Sequence, residues 1–227
     1  METPRAGETA SAVIRSEEIV PRAPGSRVLA ALMSVLLVIG LPAPGYGTHN
    51  KGRTWDQQQF GIRDYAPCYR YLKSMSSSFR SRVSEARTKW NAANTEFYIW
   101  YTSSNCAKDI EVDYYDLPIP FDNAWAYVAN DWFGNISYST INFNSCKDSP
   151  NGCTPWYTGT GTPPDTWIDL ISVATHEFGH TVELGHSENC NPSCSIMYPW
   201  INPGETRRFL NSHDHQTLRA MYAYPAT

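Results

Sequence analysis

Between Ile168 and His186 the chain reads I-D-L-I-S-V-A-T-H-E-F-G-H-T-V-E-L-G-H. Ile168, Ile171, Val173, Ala174, Phe178 and Val182 make this a largely buried helix. A preceding Gly/Pro/Thr-rich loop, Thr158 to Pro164, ends at Asp165 and Thr166, either of which can cap it. Such a helix has to sit inside a domain, and it carries His176 and His180 into that interior. Imidazoles buried among apolar residues need polar partners. Residues at i and i+4 project from one helix face about one turn apart, so the two can share one partner.

A zinc ion is a partner of the right kind, taking imidazole nitrogens at about 2.0–2.1 Å. His186, six residues past His180, offers a third ligand, and Gly185 before it lets the chain turn back. Three protein ligands leave one position open, which is the catalytic rather than the structural type of zinc site. Glu177 stands beside the first ligand, where a carboxylate can take a proton from a water acidified by the metal. The expected site is therefore His176, His180 and His186 on one zinc ion, with Glu177 as the catalytic base. A pair of hydrogen-bonded core histidines is the plainer reading of H-E-x-x-H, and the third histidine and the adjacent glutamate argue against it.

The chain has 227 residues and a formal net charge of −4, which gives no basic excess for neutralising phosphates and disfavours a nucleic-acid partner. Val28 to Gly40 is a charge-free apolar run after Arg27, followed by the small and proline-rich LPAPGYG. That is the layout of an export signal, and the run is too short for a stable membrane span, which takes about 20 apolar residues. Residues 1–47 are expected to form a leader, with cleavage after Gly47, and residues 48–227 a single secreted domain. Six cysteines in an exported chain predict three disulfides. Neighbour pairing would join Cys146 to Cys153 and Cys190 to Cys194. No C-x-x-C spacing supports a second, cysteine-held zinc. Eight Trp and 14 Tyr suit either sheet packing or a groove for extended chains.

Along the rest of the chain, Phe79, Val83, Ala86 and Trp90 recur at helical spacing after the capping serines Ser76 to Ser78. Cys68–Leu72, Phe97–Thr102, Asp109–Tyr115, Ala124–Val128 and Ser139–Asn144 read as strands, and Asn130 to Asn135 as a turn. A last helix with Leu218, Met221 and Tyr222 starts at Asn211 or Ser212. Early and late helices around a set of strands make an α+β domain. In the last helix, Asp214 is expected to cap, leaving His213 and His215 exposed.

His176 to His186 resembles the metzincin pattern H-E-x-x-H-x-x-G-x-x-H. Ser195-Ile196-Met197-Tyr198-Pro199 resembles the metzincin Met-turn, and Ser187 with Met-Tyr-Pro is most similar to the matrixin branch. The resemblance implies a metzincin-like fold: a twisted mixed sheet with an edge strand over a shallow cleft, an early helix, a zinc-binding helix and a C-terminal helix. It implies a monomeric zinc endopeptidase whose extended polypeptide substrate pairs with an edge strand, here Ala124 to Val128. Tyr198 and Pro199 would wall the pocket just past the scissile bond. Two further readings are a binding protein that keeps this fold without catalysis, and a zinc hydrolase acting on a non-peptide amide. The family glycine at the end of the zinc helix is Glu183 here. If that position needs φ > 0, a glutamate costs about 1–2 kcal/mol, unless Gly185 absorbs the turn. Glu183 is also an alternative third ligand. Calcium is open, with Asp113, Asp116 and Asp122 as candidate ligands.

Overall fold

The computed structural model describes residues 12–13, 54–55, 66–93, 95, 97–104, 109–115, 123–145, 154–188 and 194–222. The elements run β1 (Ala12–Val13), β2 (Cys68–Tyr71), α1 (Ser77–Asn91), β3 (Trp100–Tyr101), β4 (Asp109–Tyr115) and β5 (Ala124–Asn130). They continue β6 (Ile136–Asn144), β7 (Trp156–Tyr157), β8 (Ile168–Asp169), α2 (Leu170–Thr181), β9 (Trp200–Ile201) and α3 (Ser212–Met221). Apart from β1, which pairs with β9, the expected leader and its apolar run 28–40 lie outside the described residues. Among the described residues no helix is long and apolar enough to cross a membrane.

Five strands form one sheet in the order β3-β2-β4-β6-β5. β2 pairs in parallel with β3 and β4, and β4 with β6. β5 alone is antiparallel, joined to β6 by a tight hairpin, and it lies at the sheet's edge. Alternation decides the two faces. Ile110, Val112, Ala124, Ala126, Ile141 and Phe143 are buried, whereas Glu111, Asp113, Tyr115, Trp125 and Tyr127 line an open groove on the opposite face.

α1 and α2 cover the buried face. Ser76 caps α1, its hydroxyl accepting from the Phe79 amide. Phe79 then meets Tyr114, Phe143 and Trp156 edge-on, with ring centroids 5.0, 5.3 and 6.2 Å apart. Phe178 of α2 meets Tyr69 of β2 in the same manner at 5.9 Å. The two helices are tied by Trp90, whose indole donates to the Thr175 carbonyl at 2.8 Å. Gly179 is needed at their contact: a Cβ there would come within 2.3 Å of the Met197 sulfur and 2.9 Å of the Trp90 ring. The α+β class, the three helices and the five strands of the main sheet follow the order the sequence suggested; the two-residue strands β1, β7, β8 and β9 were not anticipated.

Several boundaries differ, and β5 also runs two residues past the expected Val128, to Asn130. The strand expected over Phe97–Thr102 is confined to Trp100–Tyr101, while the sheet strand of Ser139–Asn144 begins three residues earlier at Ile136. α2 is capped by neither Asp165 nor Thr166. Its cap is Asp169, whose carboxylate accepts from the Ser172 amide at 3.1 Å and its hydroxyl at 2.6 Å. Ile168, expected inside the helix, pairs as part of β8 with β7. Arg208 selects that cap. Its Nε donates to Asp169 at 2.8 Å, and its terminal nitrogens reach Asp169 and the carbonyls of Thr160 and Gly161. The Gly/Pro/Thr-rich loop is thereby tied to the start of α2.

Among the described residues no cysteine is free, and Cys68 and Cys194 are both disulfide-bonded. The neighbour pairings Cys146–Cys153 and Cys190–Cys194 involve residues outside those described.

Candidate metal centre

α2 brings His176 and His180 to one side of the buried layer, and the turn after it returns His186 to them. The three rings stand 4.6–5.2 Å apart between centroids. His180 Nε2 lies 2.9 Å from His176 Nε2 and 3.2 Å from His186 Nε2. Among the described residues these three form the one cluster able to hold a metal ion. Asp113, a candidate calcium ligand, instead pairs with Lys73 at 3.3 Å. Asp116 and Asp122 lie outside the described residues.

The protons on these rings settle what can sit between them. His176 Nδ1 donates to the Ile196 carbonyl at 2.9 Å, and His180 Nδ1 to the Leu184 carbonyl at 2.7 Å. A carbonyl only accepts, so both Nδ1 atoms carry hydrogen, and the neutral form of each ring presents its lone pair at Nε2. Burial, and then the neighbouring His180 and His186, hold the His176 pKa well below the usual imidazole range, so this ring is neutral. Two facing lone pairs repel; a cation between them reverses the sign. Tetrahedral ligands at zinc-type bond lengths stand about 3.3 Å apart, close to the spacings found. The donor set therefore fits a zinc ion, and backbone carbonyls supply the outer contacts that orient such ligands.

The turn that places His186 is made by Glu183. Its φ is 64°, the left-handed region, while Gly185 is not among the residues with positive φ. Gly185 thus does not absorb the turn. The Glu183 amide donates to the His180 carbonyl at 2.8 Å, and the Leu184 amide to the Gly179 carbonyl at 3.1 Å, which closes the helix end. Glu183 is buried but is not one of the clustered metal-ligating groups, so the third member is His186. Glu177, next to His176, is wholly buried.

The segment 195–198 forms a tight turn beneath the cluster, its Tyr198 amide donating to the Ser195 carbonyl at 3.3 Å. Met197 is buried against Gly179, and its carbonyl accepts from the Ser187 amide at 2.9 Å. Asp214 anchors this turn from α3. It accepts from the Ser195 hydroxyl at 2.6 Å, the Ile196 amide at 2.9 Å and the Asn211 amide at 3.0 Å. Asp214 does complete a capping box with Asn211, as the sequence suggested, and is almost fully buried. His213 and His215 are half-buried rather than exposed. Sequence reasoning missed the anchoring role, and also Arg207, which donates to the Tyr198 carbonyl at 3.1 Å and stacks on the Tyr198 ring.

A helix carrying two of three convergent histidines, a turn with methionine under them, and an antiparallel edge strand on a mixed sheet define a metzincin-type domain. The chain belongs to the matrixin family (Peptidase_M10), whose pattern it matches over residues 57–223. It is similar to metalloendoproteinase 2-MMP of Arabidopsis thaliana, 42% identical over 55 residues, or 24% of this chain and 14% of that protein. Karilysin of Tannerella forsythia is 40% identical over 26% of this chain and 11% of its own length. Human matrix metalloproteinase-26 is 42% identical over 26% of this chain and 22% of its own. The matched stretches thus span less than a quarter of each of these relatives.

Proposed function

We propose that this protein is a secreted zinc endopeptidase in which His176, His180 and His186 hold the metal and Glu177 is the catalytic base. The observation that carries the reading is the convergence of the three imidazole Nε2 atoms, with Nδ1 of both helix histidines committed to backbone carbonyls. A zinc ion held there would supply a Lewis acid for a peptide carbonyl and acidify the attacking water. Glu177 then accepts the water's proton and returns it to the leaving amide nitrogen. Burial keeps this carboxylate out of bulk water. β5, antiparallel and at the sheet's edge, offers its outer backbone to an extended polypeptide, which would add as a further strand. The relatives named metalloendoproteinase and matrix metalloproteinase support the same reaction class.

The test pairs zinc content with cleavage of a mixed peptide library, for the wild type and Glu177→Ala. One zinc per chain in both, with cuts by the wild type alone, is the expected result. One zinc with no cuts by either would overturn the peptidase reading in favour of a binding role or a non-peptide amide. Absence of zinc would overturn the metal site itself.

A further inference from the structure

The hairpin between β5 and β6 ends in Asp131-Trp132-Phe133-Gly134-Asn135, where Trp132 is 96% and Phe133 85% exposed. Isolated exposed apolar residues are ordinary on protein surfaces. Two adjacent large aromatics at a protruding tip are a concentrated apolar point that water does not favour. The tip is also firmly built. The Asp131 amide donates to the Asn135 carbonyl at 2.8 Å, and the Gly134 amide to the Asp131 carbonyl at 3.1 Å. The Asp131 carboxylate accepts from the amides of Phe133 and Asn135, both at 2.9 Å. Gly134 takes φ of +85°, which closes the turn without a Cβ penalty.

From this geometry we infer that Trp132 and Phe133 form an interfacial anchor that inserts shallowly into a zwitterionic lipid bilayer. Three observations favour lipid over another occupant. Four of the five tip amides, those of Asp131, Phe133, Gly134 and Asn135, are already bonded within the loop, so moving the tip out of water strands few backbone donors. A protein interface needs about 800 Å² from each partner, whereas two aromatic side chains supply roughly 300–500 Å². A bilayer, being deformable, closes around so small a convex wedge. The turn holds no basic residue and the chain's net charge is −4, so an anionic surface would repel rather than recruit it. Asp131 is itself exposed and limits entry to the depth of the two rings, where Trp is at home between headgroups and acyl chains. The rings would hold the hairpin, and with it edge strand β5, close to the membrane surface.

The inference is independent of peptide hydrolysis. Its test uses the full chain, its Trp132→Phe variant and phosphatidylcholine vesicles. The difference between the two fluorescence spectra isolates Trp132 from the other seven tryptophans and from any contribution of segment 28–40. On adding vesicles the Trp132 signal should shift to the blue and be quenched by lipids brominated near the headgroup end of the acyl chain. The paired variant Trp132→Ser/Phe133→Ser should lose about tenfold or more in vesicle partition. Because both side chains lie in solvent, circular dichroism and short-peptide cleavage should be unchanged. A Trp132 spectrum indifferent to vesicles, or quenching by aqueous iodide that is the same with and without them, would overturn the inference. Quenching only on adding a second protein would do so too, and would assign the tip to a protein partner.

Discussion

His176 and Asp214 hold opposite ends of the same residue. His176 Nδ1 donates to the carbonyl of Ile196, and the Asp214 carboxylate accepts from the amide of Ile196. The orientation of His176 is thereby linked through one residue's backbone to the N-terminus of α3. Asp214→Ala would leave the Ser195 hydroxyl and the Ile196 and Asn211 amides without their acceptor, in a site where Asp214 is 1% exposed. A loss of about 2–4 kcal/mol is expected, together with weaker zinc retention against a chelator. Denaturant titration and zinc competition measure the two. Unchanged zinc affinity in a destabilised variant would show that α3 supports the fold without orienting the ligand.

Glu183 and His186 are separated by their consequences. The left-handed φ of Glu183 costs about 1–2 kcal/mol for a residue with a side chain. Glu183→Gly should relieve part of that strain while leaving zinc bound. His186→Ala should sharply weaken zinc binding. Metal content by mass spectrometry distinguishes the pair, and loss of zinc from Glu183→Gly would reinstate this carboxylate as a ligand.

The three-histidine cluster was legible because its geometry is local. Helical spacing alone puts His176 and His180 on one side, and the Ser195–Pro199 segment resembles the turn that packs near them. The strands β4 and β5 were legible for the same reason, from their local composition. Features set by distant residues were not. Asp165, Thr166 and Asp169 are all acceptable caps by type, and the choice falls to Asp169 because Arg208, 39 residues on, meets it. The burial of Asp214 depends on a turn that packs beneath a different helix. The sequence left the turn before His186 open between Glu183 and Gly185, and it falls to Glu183, with φ of 64°.

Arg208 also predicts where the domain opens first. Asp169 is fully buried and the Arg208 side chain only 12% exposed, so removing the cation leaves a desolvated carboxylate. Arg208→Ala should cost about 3 kcal/mol. It also frees the carbonyls of Thr160 and Gly161, so limited proteolysis should begin in the loop 158–164, which the wild type protects. Arg208→Lys should recover little, because an ammonium cannot span the carboxylate and both carbonyls as a guanidinium does. A variant as resistant as the wild type would mean that the loop is held by packing instead.

Acid should unfold the metal-stripped protein through His176. Its folded pKa lies well below the ordinary value, first because of burial and then because of His180 and His186, while in the unfolded chain it titrates near 6.5. Below that pH the unfolded chain takes up a proton that the folded chain refuses, so protons favour unfolding. Stability from this group is full above about pH 6.5 and falls with acidification, by up to about 1.4 kcal/mol per pH unit. Denaturant titrations of the apoprotein at several pH values on either side of 6.5 give the slope. His176→Gln should flatten it by about one proton, at the expense of the metal site. A slope equal to that of the wild type would show that the ring is charged in the folded state, and that neutral lone pairs do not converge at this centre.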